Sequence, residues 1–190
     1  MSYLKLFNMP TPMKITGRSS SITNAFINSI IPVIAPSEEQ VKKALSVLGM
    51  EKGDFQCSYC GAQASEWDHL RPLVIDKKPT GYISEIHNLV PSCGKCNQSK
   101  GNKPWRTWMF SEARLSPKSR GIHNLEERAA RLEAYENWEK PTKVDFVKIV
   151  GKEKWDRHWK NWEKIQESMR EAQLLANEIN KEVANAQTDL

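Results

Sequence analysis

At 190 residues, with 39% hydrophobic and 27% charged residues, the chain suits one compact domain, or one core with helical extensions. No stretch approaches the ~20 apolar residues of a bilayer span. The start, MSYLKLFNMPTPMK, lacks the charged, apolar and small-residue succession of a secretory signal, so a cytoplasmic protein without a membrane anchor is expected. The net charge of +5 is unevenly placed: Lys95, Lys100, Lys103, Arg106, Arg114, Lys118 and Arg120 stand against one acid, Glu112, a local excess of +6. Such a segment fits a polyanion such as nucleic acid, or a solvated loop, about equally well.

In chain order, residues up to about Gly17 carry no readable period. SSSITNAFINSII opens with serines suited to capping and sets Ile22, Phe26 and Ile30 on one helical face, until Pro32 and Pro36 break it. A clearer helix is expected in PSEEQVKKALSVLG. There Ser37 and Gln40 form an S-x-x-Q capping pattern, Val41, Ala44, Leu45 and Leu48 make an apolar stripe, and Gly49 stands at the stop. From Phe55 to Phe110 the chain becomes loop-rich. SEWDHLRPLV and EIHNLVPSC read as short strands and KKPTG (77–81) as a turn. GKCNQSK reads as one or two helical turns ended by Gly101, and WRTWMF as a short helix opened by Pro104.

After the basic linker SEARLSPKSRG, helix is expected again. NLEERAARLEAYENWEK begins with Asn124 and Glu127 in a capping arrangement and stops before Pro141; VDFVKIVG is a strand or the start of a helix. From Lys152 a heptad pattern runs for about four repeats. Trp155, Trp162, Met169, Ala176 and Val183 lie seven apart, with His158, Ile165, Ala172 and Ile179 as the alternate seam. This predicts a long helix whose seam is buried against the chain's own body or against a second subunit, as in a homodimer. The expected divisions are an N-terminal helical extension (1–52), a cysteine-bearing core (53–110) and a C-terminal helical region (111–190).

All four cysteines fall in two C-x-x-C pairs, Cys57/Cys60 and Cys93/Cys96. Two such knuckles match one tetrahedral structural Zn2+. Disulfides are disfavoured in a chain without a leader, and a thioredoxin-like redox pair would leave the second pair unexplained. The 32 residues between Cys60 and Cys93 exceed the loop of a plain zinc ribbon, so the insertion has its own purpose. It holds Asp68 and His69 side by side. Neighbours on a strand point to opposite faces, and a twisted strand lets both approach one reaction centre. Asn97 directly follows Cys96 and is fixed by it. A carboxylate and an amide oxygen are hard ligands suited to Mg2+ or Mn2+, and a neutral imidazole is the natural base for drawing a proton from water. One metal, one base and a basic surround are the parts of phosphodiester hydrolysis. Taken singly, Asp68 reads as a surface turn residue and His69 as a core histidine or a further zinc ligand; together with Asn97 and the cysteines they read as a site.

The run CSYC…EWDHLRPL…EIHNLVPSCGKCNQSKGNKPW resembles the HNH endonuclease motif in its ββα-metal fold, in the variant braced by four cysteines, as in HNH-type restriction endonucleases. The resemblance covers roughly Phe55 to Trp105. It implies an α+β fold, mostly helical, with a small zinc-braced core between N- and C-terminal helices. It implies that Asp68 and Asn97 share one catalytic divalent cation and that His69 is the general base. It implies that Asn88 braces the loop that orients His69, and that Lys100, Lys103 and Arg106, beside Lys95 in the basic segment, meet nucleic acid. The one departure is Asn97, where many members carry histidine; an asparagine there also occurs and still offers an oxygen. The implied reaction is cleavage of double-stranded DNA to 5′-phosphate and 3′-hydroxyl ends. A type II restriction enzyme is the sharpest expectation. A nicking phage or mobile-element nuclease of loose specificity and a non-catalytic zinc module that only binds nucleic acid are the alternatives. No role is readable for His87, His123 or His158.

Overall fold

In the computed structural model, which describes residues 7, 9–51 and 53–188, the cysteine-bearing segment folds as two antiparallel strands followed by a helix. The first residues of the expected N-terminal extension, Lys52 and the last two residues lie outside the described residues. The elements are α1 (Ser19–Asn28), α2 (Glu38–Val47), β1 (Glu66–His69), β2 (Val74–Ile75), β3 (Lys78–Pro79), β4 (Leu89–Ser92), α3 (Gly94–Lys100), α4 (Trp105–Met109), α5 (Leu125–Trp138), α6 (Phe146–Val150) and α7 (Lys152–Thr188). The fold is α+β and mostly helical, as expected. It forms two compact units: Ile27–Ile149, and the two chain ends up to Phe26 and from Val150.

Within Ile27–Ile149, α2 starts as its sequence dictates. Ser37 Oγ accepts from the Gln40 amide at 3.2 Å, and Gln40 Oε1 accepts from the Ser37 amide at 2.9 Å, a reciprocal cap that satisfies two otherwise orphaned donors. Ala44 and Leu48 face inward, and Gly49 takes the positive φ of 70° that ends the helix. α5 turns Ala129, Leu132 and Tyr135 to the same core. Its start departs from expectation. Asn124 sits in the left-handed region and its side chain makes no cap; Glu127 pairs instead with Arg131 one turn on.

The core between these helices and the strands is built from Tyr59, Leu70, Val90, Trp108, Met109, Leu132 and Tyr135, all essentially without exposure. Each such side chain contributes about 1.5–3 kcal/mol by burial. β1 pairs antiparallel with β4, with Asp68 opposite Val90 and His69 opposite Leu89. β2 and β3 form a small hairpin whose turn is Asp76–Lys77, both at positive φ, one residue earlier than the turn read from the sequence. The VDFVKIVG stretch resolves as the short helix α6. Tyr135 ties α5 to the strands: its hydroxyl donates to Leu89 O at 2.8 Å and also meets Ile86 O. Tyr135→Phe is expected to cost about 1–3 kcal/mol, because buried carbonyls lose their donor; urea denaturation measures it.

In the other unit, α7 runs for 37 residues, about 55 Å at 1.5 Å per residue. The turn Ile15–Arg18 and the start of α1 lie along it. Half of the expected seam faces inward. Trp155, Trp162, Met169 and Ala176 are partly covered, but Ile165, Ile179 and Val183 are 41%, 52% and 57% exposed. The alternate positions used are Trp159, Gln166 and Gln173, one residue further on. The reason is hydrogen bonding: Gln173 Oε1 accepts from the Ile15 amide at 2.6 Å, Gln166 Oε1 accepts from Ser19 Oγ, and Trp162 Nε1 donates to Thr23 Oγ1 at 3.0 Å. His158 belongs to the same packing, with Nε2 3.1 Å from Phe26 O.

Candidate active site and metal centre

The four cysteine sulfurs all lie within 4.8 Å of one another, and Cys60 and Cys93 Sγ are 3.7 Å apart. A tetrahedral zinc with Zn–S of about 2.3 Å sets its sulfurs about 3.8 Å apart, so the cage fits a tetrahedral ion and not a disulfide. Two backbone turns build it. The first knuckle closes with Cys57 N donating to Ala62 O at 2.7 Å and Gly61 N to Cys57 O at 2.8 Å. Gly61 takes a φ of 75°, a left-handed conformation that favours glycine, with the Arg128 guanidinium packed against its open side. The second knuckle is the N-terminal turn of α3, where Asn97 N donates to Cys93 O at 3.0 Å. Ser58 N donates to Pro91 O at 2.8 Å and fastens the first knuckle to β4. Hydrogen bonds among the sulfurs push Cys57 up to about 11 and Cys96 higher still, and hold Cys60 down as a thiolate. A divalent cation replaces those shared protons, which is why such a set binds metal. Arg120, from the basic linker, donates to Cys96 Sγ at 3.2 Å.

Beside the cage, the face of β1 that carries Glu66 and Asp68 meets α3. Asp68 is buried, and its Oδ2 accepts from the Tyr59 hydroxyl at 2.5 Å. Lys100 Nζ lies 3.0 Å from Oδ2 and 3.3 Å from Oδ1, and also donates to His69 O at 2.8 Å and Gly101 O at 3.2 Å. Burial pushes the Asp68 carboxyl up and the Lys100 ammonium down, and their mutual attraction opposes both shifts. Lys100 therefore does not reach phosphate here, contrary to expectation. It is fully buried, because a buried carboxylate demands a partner. One turn earlier on α3, Asn97 Nδ2 donates to Glu66 Oε2.

His69 points the other way from β1. Its Nε2 is 2.8 Å from Ser84 Oγ. Ser84 is itself fixed by the Pro32–Ile34 segment, with Ser84 N donating to Pro32 O at 3.2 Å and Ile34 N to Ser84 O at 2.8 Å. Burial, then the charge of Lys100, hold His69 down at about 4, so it is neutral at pH 7. Asn88, fully buried, accepts from Arg71 N at 2.9 Å and donates to Arg71 O at 3.1 Å. Its own carbonyl accepts from Leu70 N at 2.9 Å. It thus clamps the two residues after His69. Lys95 and Lys103 lie on the surface, while Arg106, also exposed, pairs with Glu133 at 2.8 Å. His87 is turned to Glu139, 2.9 Å from its Nε2, and stacks edge-on with Trp138, a packing role.

Residues 57–103 match a family model described as HNH endonuclease. This segment is an HNH endonuclease domain. The CRISPR-associated endonuclease Cas9 of Corynebacterium diphtheriae is 30% identical over 144 residues, which cover 71% of this chain and 12% of that protein. The chain thus spans a small part of its relative's length, and the alignment takes in sequence flanking the HNH domain. No solved structure matches the chain.

Four contacts around the HNH domain escaped the sequence reading: Tyr59 on Asp68, Glu66 on Asn97, Ser84 on His69 and Arg120 on Cys96. Only Glu66 had a local signal, since residues two apart on a strand share a face. The buried ion pair makes a sharp prediction for the HNH domain. Lys100→Met keeps the stem but strands the Asp68 charge, and is expected to cost about 3–5 kcal/mol, read from urea denaturation. Among the described residues, no helix is long and apolar enough to cross a membrane.

Proposed function

We propose that the chain is a metal-dependent DNA endonuclease that hydrolyses phosphodiester bonds to 5′-phosphate and 3′-hydroxyl ends. The observation that carries this reading is a neutral, half-buried His69 adjoining Asp68 on β1, the strand whose other face meets Asn97, within an HNH domain. The four cysteines fit one ion as they stand, and Asp68 with Asn97 offers hard oxygens for a second once Asp68 is released from Tyr59 and Lys100. Cys57, Cys60, Cys93 and Cys96 would hold a structural Zn2+. Asp68 and Asn97 would hold Mg2+ or Mn2+, whose charge stabilises the developing negative charge at phosphorus and on the departing oxygen.

The chain's own residues supply the rest. With Nε2–H donating to Ser84 Oγ, His69 Nδ1 keeps its lone pair and takes the proton of the attacking water. Asn88 holds the backbone beyond His69 in place. Lys95 and Lys103 offer cationic contacts to the DNA backbone, with Arg106 beside them once it is released from Glu133.

Digestion of supercoiled plasmid with and without Mg2+ tests the reading. Mg2+-dependent cutting that EDTA stops is the expected result; DNA that is bound but never cut is the outcome of a non-catalytic zinc module and overturns it. Discrete double-strand fragments from a homodimer mark a type II restriction enzyme. Nicks from a monomer mark a different nuclease role, such as a nicking phage or mobile-element enzyme. Four thiols reserved for a metal suit a reducing compartment such as the cytoplasm.

A further inference from the structure

We propose that Glu66 is a positioning residue that fixes the amide of Asn97 with its oxygen turned toward the catalytic cation. The inference rests on the reading that Asp68 and Asn97 hold that cation. An asparagine amide presents either an oxygen or an NH2 to a given side, and only the oxygen is a ligand. An ionised carboxylate accepts and never donates. Glu66 Oε2 therefore selects Nδ2, as observed, and the opposite edge of the amide, Oδ1, is left for the metal.

The framework around the pair is stiff. Glu66 lies on β1 opposite Ser92 of β4. The Asn97 backbone is held at both ends, its amide on Cys93 O at 3.0 Å and its carbonyl accepting from Gly101 N at 2.9 Å. Strand and helix periods match at this face: Glu66 and Asp68, two apart, reach Asn97 and Lys100, three apart. Gly94 lies beside this carboxylate; a Cβ on it would lie 2.9 Å from Glu66 Oε1, a contact that a small shift of that side-chain end relieves.

Mn2+ titration of the zinc-loaded full chain, followed by electron paramagnetic resonance, tests this. Zinc content and circular dichroism check the fold of each variant. Glu66→Met, which keeps length and removes the acceptor, is expected to weaken Mn2+ binding by about 10- to 100-fold, the usual effect of losing the partner that orients a metal ligand. Glu66→Gln, whose Oε1 still accepts from Nδ2, is expected to stay close to the parent. Unchanged affinity in Glu66→Met overturns the proposal, and so does a Glu66→Gln variant as weak as Glu66→Met, which would make Glu66 a direct ligand. Asp68→Ala and Asn97→Ala separate the two levels: if neither lowers Mn2+ affinity, the cation site itself is misplaced and the proposal falls with it.

Discussion

His69→Ala is expected to lower the rate of DNA cleavage by about 10²–10⁴-fold, the contribution of a positioned general base, while leaving DNA affinity unchanged. The side chain makes one hydrogen bond, to Ser84 Oγ, and the pairing of β1 with β4 is carried by backbone. Truncation therefore removes the proton acceptor without unthreading the strand. Cleavage of supercoiled plasmid gives the rate, and an electrophoretic mobility shift in Ca2+ gives the affinity; cleavage within a few-fold of the parent would remove His69 from the base role. The depressed value of about 4 adds a pH signature. A base works only unprotonated, so its activity is lost as pH falls through its own value. The rate is expected to stay nearly flat from about pH 8 to about pH 5, where a histidine at its ordinary value would be almost wholly protonated.

Loss of the cysteine cage should be the largest effect on stability. Cys96→Ser, or stripping the ion with a chelator, removes a metal-binding free energy of about 10–16 kcal/mol, as large as the whole stability of a typical domain, about 5–15 kcal/mol. The cage fastens both knuckles, and through Ser58 and the first turn of α3 it fixes β4 and Asn97. The cooperative melting transition of the Ile27–Ile149 unit should disappear together with bound zinc. Circular dichroism melts with metal analysis read both, and a Cys96→Ser chain with an unchanged melting temperature contradicts a structural ion there.

What was legible in the sequence was whatever local spacing encodes. The C-x-x-C pairs, the Ser37–Gln40 cap, the Gly49 and Gly101 stops and the short helix after Pro104 each depend on neighbours within one or two turns, and all appear in place. Where long-range partners decide, local spacing does not suffice. Lys100 has the look of a phosphate contact because lysine is usually exposed, yet Asp68 and the His69 carbonyl, from β1, draw it into the core. On α7, hydrophobicity points to Ile165 and Ile179, while Gln166 and Gln173 take the inward positions by bonding the N-terminal segment. Tyr59 sits between two cysteines and looks like knuckle filler; its role on Asp68 emerges only when the knuckle folds over β1.

The central proposal is a thiolate-held scaffold that presents Asp68 and Asn97 to one hydrolytic cation, with His69 as the base on the other side of β1. The most direct measurement is anomalous diffraction at the manganese edge from crystals of the zinc-loaded chain soaked in Mn2+. The account predicts one manganese peak bonded to Asp68 and to Asn97 Oδ1, separate from a zinc peak among the four sulfurs. Manganese bound elsewhere, with Asp68 still closed off by Tyr59 and Lys100, would contradict it.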